Sequence, residues 1–137
     1  MKEKSCGAIV YKKEENKLMF LLVLQNNGHH SFPKGHMENG ESELETTIRE
    51  IKEETNLDVD VDLGFRKQIT YLIETKNVMK DTVYFVATPI TFDLKNQEGE
   101  ILNCKWLNYE DTINTLEFDN IKEVFNSAYE YIKNKNF

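Results

Sequence analysis

Apolar side chains crowd into two early runs, 5–11 and 18–25, both rich in β-branched and large residues. Such runs predict strands, and the polar stretch 12–17 between them predicts a hairpin loop. The segment 26–40 holds Gly28, Pro33, Gly35 and Gly40 and reads as loop with at most a short strand. The period then lengthens. Ser42 and Glu45 fit a capping box, and Leu44, Ile48 and Ile51 recur at helical spacing. This helix should end near Asn56, because Asn is the usual substitute for Gly in the left-handed cap. Segments 59–73 and 82–90 predict two strands paired across 74–81, and 101–107 predicts another. From 118 to 133, Ile121, Val124, Phe125, Ala128 and Ile132 mark a closing amphipathic helix. Strands, a helix, more strands and a last helix predict an α+β fold, a mixed β-sheet sandwich in a single domain spanning 1–137.

Composition narrows the partners. Hydrophobic residues make up 39% and charged residues 30%, enough apolar material for a packed core. Seventeen Lys and Arg against 24 Asp and Glu leave a net charge of −7. Any phosphate-bearing ligand must therefore be held by a local cluster of donors or by a metal, since the overall field repels it. The same balance argues against a nucleic-acid partner. No stretch is long enough for a membrane span, the longest apolar run being Leu18 to Leu24, and no export signal is read at the N-terminus. Cys6 and Cys104 lack partners at metal or redox spacing and are expected as reduced structural thiols in a cytoplasmic protein.

The candidate chemistry lies between Gly35 and Leu57. On a helical wheel with Glu50 at zero, Glu53 falls at about 300° and Glu54 at about 40°, so three carboxylates share an arc of about 100°. Leu44, Ile48 and Ile51 occupy the neighbouring sector. Like charges so spaced repel by a few tenths of a kcal/mol per pair. All-oxygen donors without His or Cys suit Mg2+, Mn2+ or Ca2+. A solvated face on a Glu-rich helix explains the cluster equally well when it is taken alone.

The wider spacing separates the two. Gly35, five residues, Glu41, seven residues, Arg49-Glu50-Ile51, one residue, then Glu53-Glu54 resembles the Nudix box, G-x5-E-x7-R-E-U-x-E-E-x-G-U with U a large apolar residue. At background composition its six fixed polar and glycine positions would match by chance about once in ten million starts. The last Gly of the pattern is Asn56 here, followed by the expected Leu57; because Asn tolerates the left-handed conformation, the helix end should survive.

The resemblance implies a Nudix-like α/β/α sandwich whose box forms loop, helix and loop. It implies hydrolysis of nucleoside diphosphates linked to another moiety, with Mg2+ as cofactor and Mn2+ as a substitute. By the same resemblance, Glu50, Glu53, Glu54 and the carbonyl of Lys34 are metal ligands, Arg49 steadies a helix glutamate, and Glu41 has a supporting role. The loop Gly28-His29-His30-Ser31-Phe32-Pro33-Lys34-Gly35-His36 resembles the asymmetrical diadenosine tetraphosphate hydrolase branch of the family. So do Cys6-Gly7-Ala8-Ile9-Val10, Tyr71 with Lys76, Val83-Tyr84, and Glu100 before Trp106. This branch implies a small dinucleoside polyphosphate as partner, with ATP and AMP as products. It also implies Glu100 as a further metal-binding or water-activating carboxylate.

Elementary chemistry fits these residues to the parts of such a ligand. Lys34, His36, Lys76 and Lys80 are candidate donors to phosphate, and Tyr71, Tyr84 and Phe118 are candidate rings for a base to stack on. Each has a plainer account: Lys76 and Lys80 in a solvated hairpin, the tyrosines half-buried in strands, Phe118 stapling the last helix. Two rival activities use the same box: a pyrophosphatase for damaged nucleoside triphosphates or for RNA 5′-triphosphate ends, and a nucleotide sensor that binds without cutting. Loss of box glutamates would mark the sensor, and all of them are present.

Overall fold

A computed structural model describes residues 2–136. Strand β1 (Lys2–Glu14) is central. It runs parallel to β6 (Val78–Pro89), and antiparallel to β2 (Lys17–Gln25) and to the short β4 (Lys34–His36). Beyond β6 lies β5 (Val59–Ile73), while β2 also pairs with β3 (His30–Ser31) and β7 (Ile101–Leu107). The sheet is thus mixed and seven-stranded.

Alternation along the central strands sends side chains to two cores. Cys6, Ala8 and Val10 of β1 and Val83, Phe85 and Ala87 of β6 pack with Ile51 of α1 (Glu43–Thr55) and with Leu57. On the opposite face Ile9, Tyr11, Tyr84 and Val86 meet Val124, Phe125, Ala128 and Ile132 of α3 (Asp119–Asn136). A helix on each side of one sheet is the expected α+β sandwich. Among the described residues no helix is long and apolar enough to cross a membrane.

The helix that carries the acidic cluster is set by local chemistry at both ends. Ser42 Oγ accepts from the Glu45 amide at 3.1 Å and Glu45 Oε1 accepts from the Ser42 amide at 2.9 Å, so two otherwise orphaned donors are satisfied. At the other end Asn56 sits at φ 68° and donates its N–H to the Lys52 carbonyl. Asn does here what the missing glycine of the motif would do.

Several expectations change. The β1–β2 loop is tighter than 12–17: its turn is Glu15 and Asn16, both at positive φ, as the twist of a two-residue hairpin requires. The segment 26–40 contains two short strands rather than at most one. Strand β6 begins at Val78, so Lys80 belongs to the sheet and is buried rather than solvated in a hairpin. Helix α2 (Tyr109–Thr115), capped by the Asn108 side chain, was not anticipated, and Phe118 immediately precedes α3 instead of opening it. On α1 only Ile51 of the supposed apolar stripe is buried, while Ile48 is 39% exposed; Thr46, Thr47, Glu54 and Thr55 complete the buried face.

Candidate active site

Two cavities open beside the part of the sheet where β1, β4 and β6 meet. The first, about 480 Å³, is lined by Glu50, Glu53, Glu54 and Glu100 together with Lys34 and Lys80. The second, about 370 Å³, is walled by His29, His30, Tyr71 and Phe118. Gln25, Lys34 and Lys80 line both, so they form the common boundary.

The carboxylates owe their places to α1 and to the glycine of β4. Gly35 pairs with Cys6 in the sheet and lies against Glu50. A Cβ built on Gly35 would fall inside the Glu50 carboxylate, so only glycine lets that group sit over the strand. Arg49 organises the rest. Its Nε and Nη2 donate to Glu41 at 2.6 and 2.9 Å, its Nη1 to Glu50 at 2.7 Å and to Glu53 at 3.3 Å, and its Nη2 also to the His36 carbonyl at 2.9 Å. Glu41 in turn accepts from the Glu38 amide and from Thr46 Oγ1, and the Arg49 bonds bring its pKa down to about 2.

Glu54 differs from its neighbours. It is 9% exposed, and among the described residues its carboxylate accepts one hydrogen bond, from the Lys34 amide to Oε1 at 3.2 Å. Burial pushes its pKa up to about 8, with the nearby Glu50 and Glu100 adding to the rise. Glu50 is also raised, first by burial, against the pull of Arg49. Helical geometry explains the contrast with Glu53. Glu54 lies within the buried arc of α1 and Glu53 lies off it, its side chain 45% exposed.

The donor set fits a hard divalent cation. It is all oxygen, it is crowded with like charge, and burial drives its most buried member toward protonation even with Lys34 nearby. Among the described residues, no three carboxylate, histidine or cysteine groups already converge on one point. The contact between Lys34 and the glutamates runs through its amide N–H.

Lys34 and Lys80 stand between the cavities. Burial lowers both, Lys80 to about 8 with the Lys34 charge adding to the fall, while Glu54 and Glu50 pull Lys34 back up. Lys76 is elsewhere, in the exposed β5–β6 turn, with Nζ 3.7 Å from Glu3. His36 lines the first cavity, yet its ring is turned to Glu3, Nε2 to Oε1 at 3.3 Å.

In the second cavity Tyr71 is partly exposed and Phe118 is 50% exposed, so both rings have an open side. Tyr84 does not. Its strand is flanked on both edges, and the ring is fully buried, edge-on to Phe32 at 6.4 Å. The expectation that Tyr84 offers a stacking face is therefore corrected: the ring is enclosed, and its buried hydroxyl has no hydrogen-bond partner among the described residues. Gln25 and Glu117 were not singled out in the sequence. Gln25 ends a strand with no motif around it, and only the fold brings Glu117 against His29 and His30 at the edge of the second cavity.

Comparison with known proteins gives concordant results. The family description "NUDIX domain" matches residues 1–128. The chain is 28% identical to the asymmetrical bis(5′-nucleosyl)-tetraphosphatase of Sus scrofa, covering 94% of this chain and 95% of the relative. It is 32% identical to the protein of the same name from Caenorhabditis elegans, over 84% and 86%. Among solved structures, a binary complex of the C. elegans Ap4A hydrolase superposes with a TM-score of 0.88 at 26% identity, covering 96% of this chain and 98% of that one.

Proposed function

The chain belongs to the NUDIX family of hydrolases, and from that membership we propose that it cleaves diadenosine tetraphosphate to ATP and AMP with Mg2+ bound at the acidic cavity. The observation that carries this reading is the shared boundary: a carboxylate cavity and an aromatic cavity meet at Lys34 and Lys80. A ligand with a polyphosphate between bases presents the matching sequence of groups, metal-binding phosphates next to an unreacting phosphate and then a flat ring.

Nudix hydrolases generally need divalent metal ions. Glu50, Glu53, Glu54, Glu100 and the Lys34 carbonyl would hold the ion here, which when bound neutralises phosphoryl charge and acidifies a water. Arg49 keeps Glu50 and Glu53 in place. Lys34 and Lys80 donate to phosphoryl oxygens and offset the repulsion of a −7 protein. Tyr71 and Phe118 take an adenine between open ring faces. In the reaction one water adds to a phosphorus, the bridging P–O bond breaks, and the water's proton passes to a glutamate, Glu54 and Glu100 being the candidates facing the cavity. His36 offers a ring nitrogen at the rim of the first cavity, and Lys76, beside Glu3 in the β5–β6 turn, adds positive charge from outside it. With both cysteines free and buried, we place this enzyme in the cytoplasm.

The test is incubation of the protein with diadenosine tetraphosphate, with and without Mg2+, beside a panel of nucleoside triphosphates and 5′-triphosphorylated RNA. Metal-dependent release of ATP and AMP in equal amounts is expected. Two ADP per substrate, or faster turnover of a panel member, overturns the substrate assignment.

A further inference from the structure

The rim of the aromatic cavity is assembled from two segments far apart in sequence, and one side chain joins them. Glu117 lies in the short link between α2 and α3. Its Oε2 meets His29 Nδ1 at 2.8 Å, and its Oε1 accepts from the His30 amide at 2.9 Å, with His30 Nδ1 3.7 Å away. Both carboxylate oxygens are engaged, and both bind the β2–β3 loop. The next residue is Phe118, whose ring centroid stands 5.3 Å from that of His29. Glu117 does not itself line the cavity, whereas His29, His30 and Phe118 do.

We infer that Glu117 is a positioning residue for nucleoside binding: it clamps the β2–β3 loop to the α2–α3 link so that the His29 and Phe118 rings form one preset rim. The inference rests on the proposed function and refines how that cavity grips a base. As a source of stability the clamp is weak, because its partners are exposed and water screens the pair. What it fixes is geometry. Phe118 is half exposed and the loop turns through Gly28 at φ 90°; the loop's other hydrogen bonds at His29, to Asn27 and Gln25, stay within the loop, so the Glu117 bonds are what tie it to the α2–α3 link. Ordering two free rings on binding lowers affinity by about tenfold relative to rings held in advance.

Charge and geometry predict opposite signs. Removing a carboxylate near an anionic ligand strengthens Coulombic binding, whereas removing a clamp weakens the grip on the base and leaves the phosphates untouched. Two probes separate these effects: the β,γ-methylene analogue of ATP and inorganic tripolyphosphate, each titrated with Mg2+ into the full chain by calorimetry. For Glu117→Ala we expect about tenfold weaker binding of the nucleotide, unchanged or slightly tighter binding of tripolyphosphate, and a KM for diadenosine tetraphosphate raised about tenfold with kcat within twofold. Glu117→Gln keeps an acceptor and should restore most of the nucleotide affinity. Equal loss for both probes, no loss for either, or a Gln variant as weak as the Ala variant overturns the inference. Wild-type protein that binds the nucleotide no better than tripolyphosphate overturns the base-pocket reading itself, and that result is obtained without any variant.

Discussion

Replacing Gly35 by Ala tests the acidic cavity without deleting any polar group. The added methyl would occupy the space of the Glu50 carboxylate. Gly35 is held in the sheet by its pairing with Cys6, and no positive φ is required there, so the backbone accepts alanine and the flexible carboxylate must yield. Glu50 then leaves the cavity and loses its 2.7 Å bond from Arg49. The stability cost should lie near the low end of the about 1–3 kcal/mol typical of overpacking, because a side-chain end moves rather than a strand. The functional cost is larger. Losing one charged ligand from a metal site amounts to about 3 kcal/mol, which at about 1.4 kcal/mol per factor of ten is roughly a hundredfold in rate. Mn2+ titration followed by the loss of free-ion electron paramagnetic resonance signal should show weakened binding, and Glu50→Gln should show a similar defect. Combining the two should cost much less than the sum, since both act on one group. A Gly35→Ala protein that binds Mn2+ and turns over within threefold of wild type would refute the steric reasoning.

Further outcomes follow from the same geometry. Glu54→Gln should lower the rate by about 10³-fold if the carboxylate holds metal. In metal-free buffer the same change has a pH signature. With the native pKa near 8 and the unfolded value near 4.5, the folded state keeps a proton that the unfolded chain has lost. Wild-type stability therefore falls as pH rises from about 4.5 to 8, and the melting-temperature advantage of Glu54→Gln should widen across that range; a constant gap would contradict it. Lys80→Met should weaken binding of tripolyphosphate with Mg2+ by about tenfold or more while Mn2+ binding alone is little changed, as calorimetry would show. Glu43, bonded by Arg66 and Lys4, has a pKa of about 2. Because that value is depressed, its contribution is complete above about 4.5 and is lost as pH falls toward 2. Urea denaturation should show Arg66→Ala destabilising the protein at pH 6 and having almost no effect at pH 2.

What could be read in the chain was local. The capping box of Ser42 and Glu45 and the left-handed Asn56 each depend on neighbours within a turn, and both stand as expected. The acidic arc was also legible, because helical period alone groups Glu50, Glu53 and Glu54. Which glutamate would be buried was not. Leu44, Ile48 and Ile51 suggest one helix face, but the core accepts Thr47 and Thr55 in place of apolar residues because their hydroxyls bond back to the carbonyls of Glu43 and Ile51. A pattern that counts threonine as polar misplaces the face by a sector and misses the burial of Glu54. Lys80 was misplaced because a tight four-residue turn leaves more residues to the strands than a loose loop does. Glu117 had no signal at all: its partners lie 87 and 88 residues away.

The most direct measurement of the central claim is a crystal of the full chain grown with Mn2+ and an uncleavable methylene-bridged diadenosine tetraphosphate. The account predicts anomalous density bounded by Glu50, Glu53, Glu54 and Glu100, with the phosphate chain crossing Lys34 and Lys80 and an adenine between Tyr71 and Phe118. Manganese bound elsewhere, or a nucleotide seated away from those lysines, would contradict it.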